Sequence, residues 1–227
     1  MNPQDLTGGA EHWNNLYGSK SAQELSWTQT RPGVVLSWLE QIGPQPGSAA
    51  LEVGGGQGIL VDHLLERGWG PVTVLDLSEV ALEQARTRLG TNGESVRWQV
   101  GDVTTAALEP DCYTLWHDRA VFHFLTDPAA VARYVTQAST SLRPGGHLML
   151  STFAPDGPER CSGLGVQRYS AQTLLELFAP HFRKRATERE LHLTPWGAVQ
   201  PFTCVWLERT SLSVGDVDMT LEQTHKF

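Results

Sequence analysis

The sequence predicts an α/β fold, a mostly parallel sheet covered by helices on both faces. Two observations carry that prediction. Short apolar runs at residues 49–53, 72–77, 96–100, 112–117 and 148–153 alternate with stretches of helical periodicity. The first run leads directly into LEVGGGQGIL (residues 51–60), where four glycines fill five positions ahead of a helical pattern.

Each element has its own local reason. Residues 57–67 carry Ile59, Leu60, Val61, Leu64 and Leu65, which read as a helix, and Gly68-Trp69-Gly70-Pro71 ends it. Ser78 caps a second helix running to about Leu89, before Gly90 stops it. Asp127 followed by Pro128 is a favoured helix start between the fourth and fifth strands. The turn Arg143-Pro144-Gly145-Gly146 launches the fifth strand, and a Pro/Gly-rich loop, APDGPERCSGLGV, follows Phe153. A helix at about 170–177 and strands near 182–193 and 202–209 complete the pattern. The expected organisation is an N-terminal segment (1–47), one globular domain (48–210) and a polar tail (211–227).

Composition narrows the function. The chain has 227 residues and a formal net charge of -8, and its densest basic run, Arg183-Lys184-Arg185, lies in a strand, so a nucleic-acid partner is not expected. No apolar run approaches the ~18 residues of a membrane span, and the first residues lack the pattern of a signal peptide. A cytoplasmic protein, monomer or homodimer, without a membrane partner is the expectation. Cys112, Cys161 and Cys204 form no C-x-x-C pair, so neither a metal site nor a disulfide framework is expected.

The glycine loop excludes two familiar ligands. The dinucleotide fingerprint G-x-G-x-x-G/A fails in both registers, since Ile59 or Val61 falls where its last small residue belongs. No Gly-Lys-Ser/Thr follows, so the loop is not a P-loop. What remains is Glu52-x-Gly54-x-Gly56-x-Gly58.

Here the sequence resembles the Rossmann-like (class I) methyltransferases that use S-adenosyl-L-methionine (SAM). VLDLS ends the second strand at Asp76, Gly101-Asp102-Val103 follows the third, and RPGGHLMLSTF matches the family's later turn and strand. The resemblance covers about residues 50–153, in the correct order. It implies a three-layer sandwich with an antiparallel final strand, and SAM as cofactor with S-adenosyl-L-homocysteine (SAH) as product. Glu52, Gly54, Gly55, Gly56 and Gly58 would then approach the amino-acid end of SAM. Asp76 and Leu77 would lie at the ribose, and Gly101, Asp102 and Val103 at the adenine. A carboxylate suits a diol because it accepts two charge-assisted hydrogen bonds. A turn or cap is the alternative role for Asp102.

The acceptor is less legible. EHWNNLYGSKSAQELSWTQTRP (residues 11–32) resembles the lead segment of thiol and thiopurine methyltransferases and of protein-lysine methyltransferases. That likeness puts Tyr17 and Trp27 in a pocket wall, with Trp13 either there or anchoring a helix. WHDRAVFHFL (116–125) supplies His117 for the cofactor and Asp118 and His123, with Tyr17, as catalytic candidates. Alternatively Asp118 and Arg119 form a local ion pair, and His123 is a half-buried helix residue. Cys161 loosely matches a cysteine of arsenite methyltransferases, whereas Cys112 and Cys204 read as buried and inert. The expected function is methyl transfer by direct in-line displacement to a small-molecule acceptor (thiol, amine or metalloid), with a protein lysine or plain SAM binding as the alternatives.

Overall fold

The computed structural model describes residues 8–43 and 47–211. Most of the tail expected at 211–227 therefore lies outside the described residues. The strands are β1 (Ala50–Val53), β2 (Val72–Asp76), β3 (Val96–Val100), β4 (Tyr113–Arg119), β5 (Leu142–Phe153), the short pair β6 (Arg160–Cys161) and β7 (Leu164–Gly165), β8 (Phe182–Leu193) and β9 (Val199–Arg209). Seven of them make one sheet in the order β3-β2-β1-β4-β5-β9-β8. The first five run parallel, and the last strand, β9, is antiparallel to both of its neighbours.

Six helices flank the sheet: α1 (Gly9–Ser19), α2 (Gly33–Ile42), α3 (Leu60–Glu66), α4 (Glu79–Leu89), α5 (Pro128–Ser141) and α6 (Ala171–Phe178). Alternation along each strand divides the core in two. Leu51, Val53 and Trp116 pack with Tyr134 of α5 and Phe178 of α6. Ala50, Val74 and Leu115 pack with Leu39 of α2, Leu64 of α3 and Leu82 of α4. The result is the three-layer sandwich, a single α/β domain.

The caps expected at Ser78 and Asp127 are in place, and α6 has a further one at Ser170. Ser78 Oγ accepts from the Ala81 N–H at 3.1 Å, Asp127 from Ala129 at 3.1 Å, and Ser170 from Thr173 at 3.1 Å. Helices α1 and α2 were not read from the sequence, and neither was the β6–β7 hairpin inside the Pro/Gly-rich loop. Cys112 is a correction: it precedes β4 and is exposed, not buried in the strand.

Candidate functional site

The strand order reverses between β1 and β4, and open α/β sheets bind ligands at the carboxyl ends of the strands there. Beyond Val53 the chain doubles back over those ends. Gly54 takes φ 64° and donates its N–H to the Leu75 carbonyl at 2.7 Å. A Cβ on it would lie 2.0 Å from Val121 Cγ2, so only glycine fits. Gly56, at φ 44°, faces the Tyr17 hydroxyl, 2.7 Å from where a Cβ would be.

Two cavities meet across this loop. One is lined by Trp13, Tyr17, Trp27 and Phe124 on one side and by Asp76, Leu77, Gly101, Asp102 and Val103 on the other. The second is bordered by Glu52, Gly55, Gly58 and His117. Tyr17, Trp27, Gly54 and Arg119 border both.

The N-terminal segment is docked firmly over the strand ends. Asn14 Oδ1 accepts from the Ser78 hydroxyl at 2.8 Å, and the Gln84 amide donates to the Tyr17 carbonyl at 3.2 Å. The Tyr17 ring lies 6.5 Å from that of Trp13 and 6.1 Å from that of Trp27. Phe124 closes against Trp13 at 5.2 Å.

Burial governs the charges. Asp76 Oδ1 accepts from the Ser78 N–H at 2.8 Å, yet desolvation pushes its pKa up to about 6. Glu52 rises to about 8, from burial first and the neighbouring Asp62 charge second, and its Oε2 has no hydrogen-bond partner. Its register partner on β4 is His117, held near 3 by burial and by Arg119, with Nδ1 unpartnered. Asp102 is exposed and its Oδ1 accepts from the Thr104 N–H at 2.7 Å, so it caps its own turn while bordering the cavity. Burial also raises the Tyr17 phenol far above its usual range, which keeps it neutral.

Two catalytic candidates are not brought to the cavities. Strand alternation sends His117 to the α3 face and therefore Asp118 to the α5 face. There Asp118 Oδ1 accepts from the Val121 N–H at 3.0 Å, and Oδ2 from the Tyr134 hydroxyl at 2.7 Å. It forms no ion pair with Arg119, which instead faces Glu190. His123 is fully buried in a short 3-10 turn, its ring 4.6 Å from both Phe124 and Phe153, and its Nδ1 accepts from the Phe153 N–H at 3.3 Å. Burial pulls its pKa to about 3, which makes it a poor proton acceptor near neutrality. Gly56 borders neither cavity directly and acts through its contact with Tyr17.

Sequence reasoning missed Arg119 as a site residue. Its Nη1 donates to the Trp27 carbonyl at 3.0 Å, its guanidinium lies 4.4 Å above the Phe202 ring, and Nε stands 3.6 Å from Glu190 Oε2. The signal was available: Arg119 lies two residues beyond His117 on one strand, hence on the same face. Cys161 also borders the first cavity and is buried.

These groups fit a cofactor with a zwitterionic amino-acid end and a ribose diol. Glu52 Oε2 is an unpaired acceptor, and Asp76 Oδ2 lies 3.4 Å from where a Cβ on Gly56 would sit.

Comparison with known proteins agrees with that fit. Residues 50–146 match a methyltransferase-domain family model. A ubiquinone biosynthesis O-methyltransferase of Thiobacillus denitrificans is 33% identical over 119 residues, 52% of this chain and 50% of that protein. The chain spans about half the length of the first curated relatives it matches. An EEF1A lysine methyltransferase 2 of Danio rerio is 23% identical over 189 residues, covering 77% of this chain and 75% of the relative. Among solved structures, a Burkholderia thailandensis 1,6-didemethyltoxoflavin-N1-methyltransferase with bound SAH has a TM-score of 0.66 at 22% identity, covering 92% of this chain and 87% of that one. The domain match over residues 50–146, the sheet order and the ordered loops together make the chain similar to the class I, Rossmann-like SAM-dependent methyltransferases.

Proposed function

We propose that the chain transfers a methyl group from SAM to a small-molecule acceptor by direct in-line displacement. The observation that supports this most is the aromatic cavity beside Asp76 and the glycine loop, closed by the chain's own residues 8–43. SAM, when bound, supplies an electrophilic methyl group on a sulfonium. Asp76 would hold the ribose hydroxyls, with Leu77 beside it, and Glu52, Gly54, Gly55 and Gly58 the amino-acid end beside His117. Gly101, Asp102 and Val103 would border the adenine. On this reading residues 1–47 serve the acceptor side and 48–210 the cofactor.

The aromatic side chains of Tyr17 and Trp27 would exclude water and present electron-rich faces to a sulfonium cation. With Asp118 and His123 engaged elsewhere, no dedicated base is assigned. Holding an acceptor lone pair in line can itself supply ~7–11 kcal/mol of the barrier.

The relatives act on different acceptor types by name: a ubiquinone-pathway oxygen, a toxoflavin nitrogen, a lysine. The lysine reading is kept because its similarity extends over 77% of this chain. Incubation with methyl-tritiated SAM, against a panel of thiols, phenols and amines and against cell lysate, separates the readings. Label in small molecules is the expected result. Label only in lysate protein would favour a lysine acceptor.

A further inference from the structure

Arg119 stands between the cofactor side and the acceptor side of the cleft. Its side chain is only 10% exposed, borders both cavities, and has Nη2 and Nε without hydrogen-bond partners. A buried guanidinium nitrogen left unpaired is costly, so it ordinarily awaits a ligand. Its counter-ion is itself engaged: the Gln29 amide donates to Glu190 Oε1 at 2.6 Å, while Glu190 Oε2 stays 3.6 Å from Arg119 Nε.

The sign of this charge restricts what can react. A sulfonium cofactor adds positive charge to the cleft beside Arg119, whose pairing with Glu190 is loose at 3.6 Å, and an acceptor that stayed cationic would add more. An anionic acceptor removes the conflict, because it pairs with the guanidinium and approaches the sulfonium favourably. Trp13, Trp27 and Phe124 line the adjoining wall, which suits an apolar or aromatic body.

Building on the methyltransferase reading, we propose that Arg119 recognises the acceptor, and that the acceptor is a small apolar or aromatic molecule whose reacting group is an anion, a thiolate or phenolate. The acceptor's proton leaves to solvent before transfer. The anion's lone pair then forms the new bond to the methyl carbon, the S–CH₃ bond breaks, and its electron pair returns to sulfur as neutral SAH. The product is neutral too, so its hold on Arg119 weakens and release is favoured. Glu190 competes with the acceptor for the guanidinium and keeps the charge balanced between turnovers.

Calorimetry on SAH-loaded protein tests this with two pairs of probes, 4-nitrophenolate against 4-nitroanisole and thiophenolate against thioanisole, at a pH where both acids are ionised. The anions are expected to bind about tenfold or more tightly than their neutral methylated counterparts, as a charge-assisted hydrogen bond implies. The better bound of the two anions separates phenolate from thiolate. Arg119→Met should abolish the preference. Glu190→Gln should enlarge it by freeing the guanidinium, and this variant guards against misfolding of the first. Equal binding of anion and neutral probe, with SAH still bound, overturns the proposal and leaves the methyltransferase reading intact. Loss of SAH affinity in Arg119→Met with the anion preference retained overturns it as well, since the guanidinium would then serve the cofactor. Failure of the native chain to bind SAH would instead overturn the methyltransferase reading itself.

Discussion

The Tyr134 hydroxyl donates to Asp118 Oδ2 at 2.7 Å, and the same oxygen accepts from the Trp116 indole N–H at 2.9 Å. This buried relay ties the end of β4 to α5 and sets the turn that carries Val121 and Phe124 into the cleft. Asp118→Ala leaves the Tyr134 hydroxyl and the Val121 N–H short of an acceptor. Each such group costs about 1–3 kcal/mol. Urea unfolding should show that loss, while SAH affinity changes little. Normal stability with turnover abolished would make Asp118 a base after all.

Glu52 makes the free protein's stability depend on pH. Its folded pKa of about 8 lies above the ordinary 4.5. Its stabilising effect is therefore complete below pH 4.5 and is lost as pH rises towards 8, with a slope of up to about 1.4 kcal/mol per pH unit. Glu52→Gln should flatten that decline in unfolding curves measured across this window. An unchanged decline would mean that Glu52 titrates normally.

Asp76→Ala should weaken SAM by about 1.5–3 kcal/mol, the worth of a hydrogen bond to a charged group. The native Asp76, with its pKa pushed up to about 6, should bind SAM more tightly as pH rises through that value. Titration of both forms at two pH values checks the pair of expectations. A pH-independent affinity in the native chain would remove Asp76 from the cofactor site.

Gly54→Ala combines a positive φ with a Cβ 2.0 Å from Val121 Cγ2. The strained backbone alone costs about 1–3 kcal/mol. Thermal unfolding should show a destabilised protein with weakened SAH binding. A variant of native stability would mean that the loop has room to move.

Legibility followed physical locality. Strands β1 to β5, the glycine loop and the caps at Ser78 and Asp127 depend on neighbours in sequence, and periodicity and turn chemistry revealed them. Helices α1 and α2 owe their stability to packing on elements distant in sequence, α1 through contacts such as Asn14 to Ser78, the cap of α4. That is invisible in a local window. Within WHDRAVFHFL the residue types suggested His123 and Asp118. Strand alternation puts His117 and Arg119, and not Asp118, on the face that borders the cavities, and the same rule could have been applied to the sequence. His123 failed for another reason, since Phe124 and Phe153 enclose it only once β5 is in place.

The central claim is that this cleft binds SAM. A calorimetric titration of the native chain with SAM, SAH and NAD tests it most directly. Saturable one-site binding of SAM and SAH, with no heat from NAD, is the expected result. Tight binding of NAD with none of SAM would contradict the account.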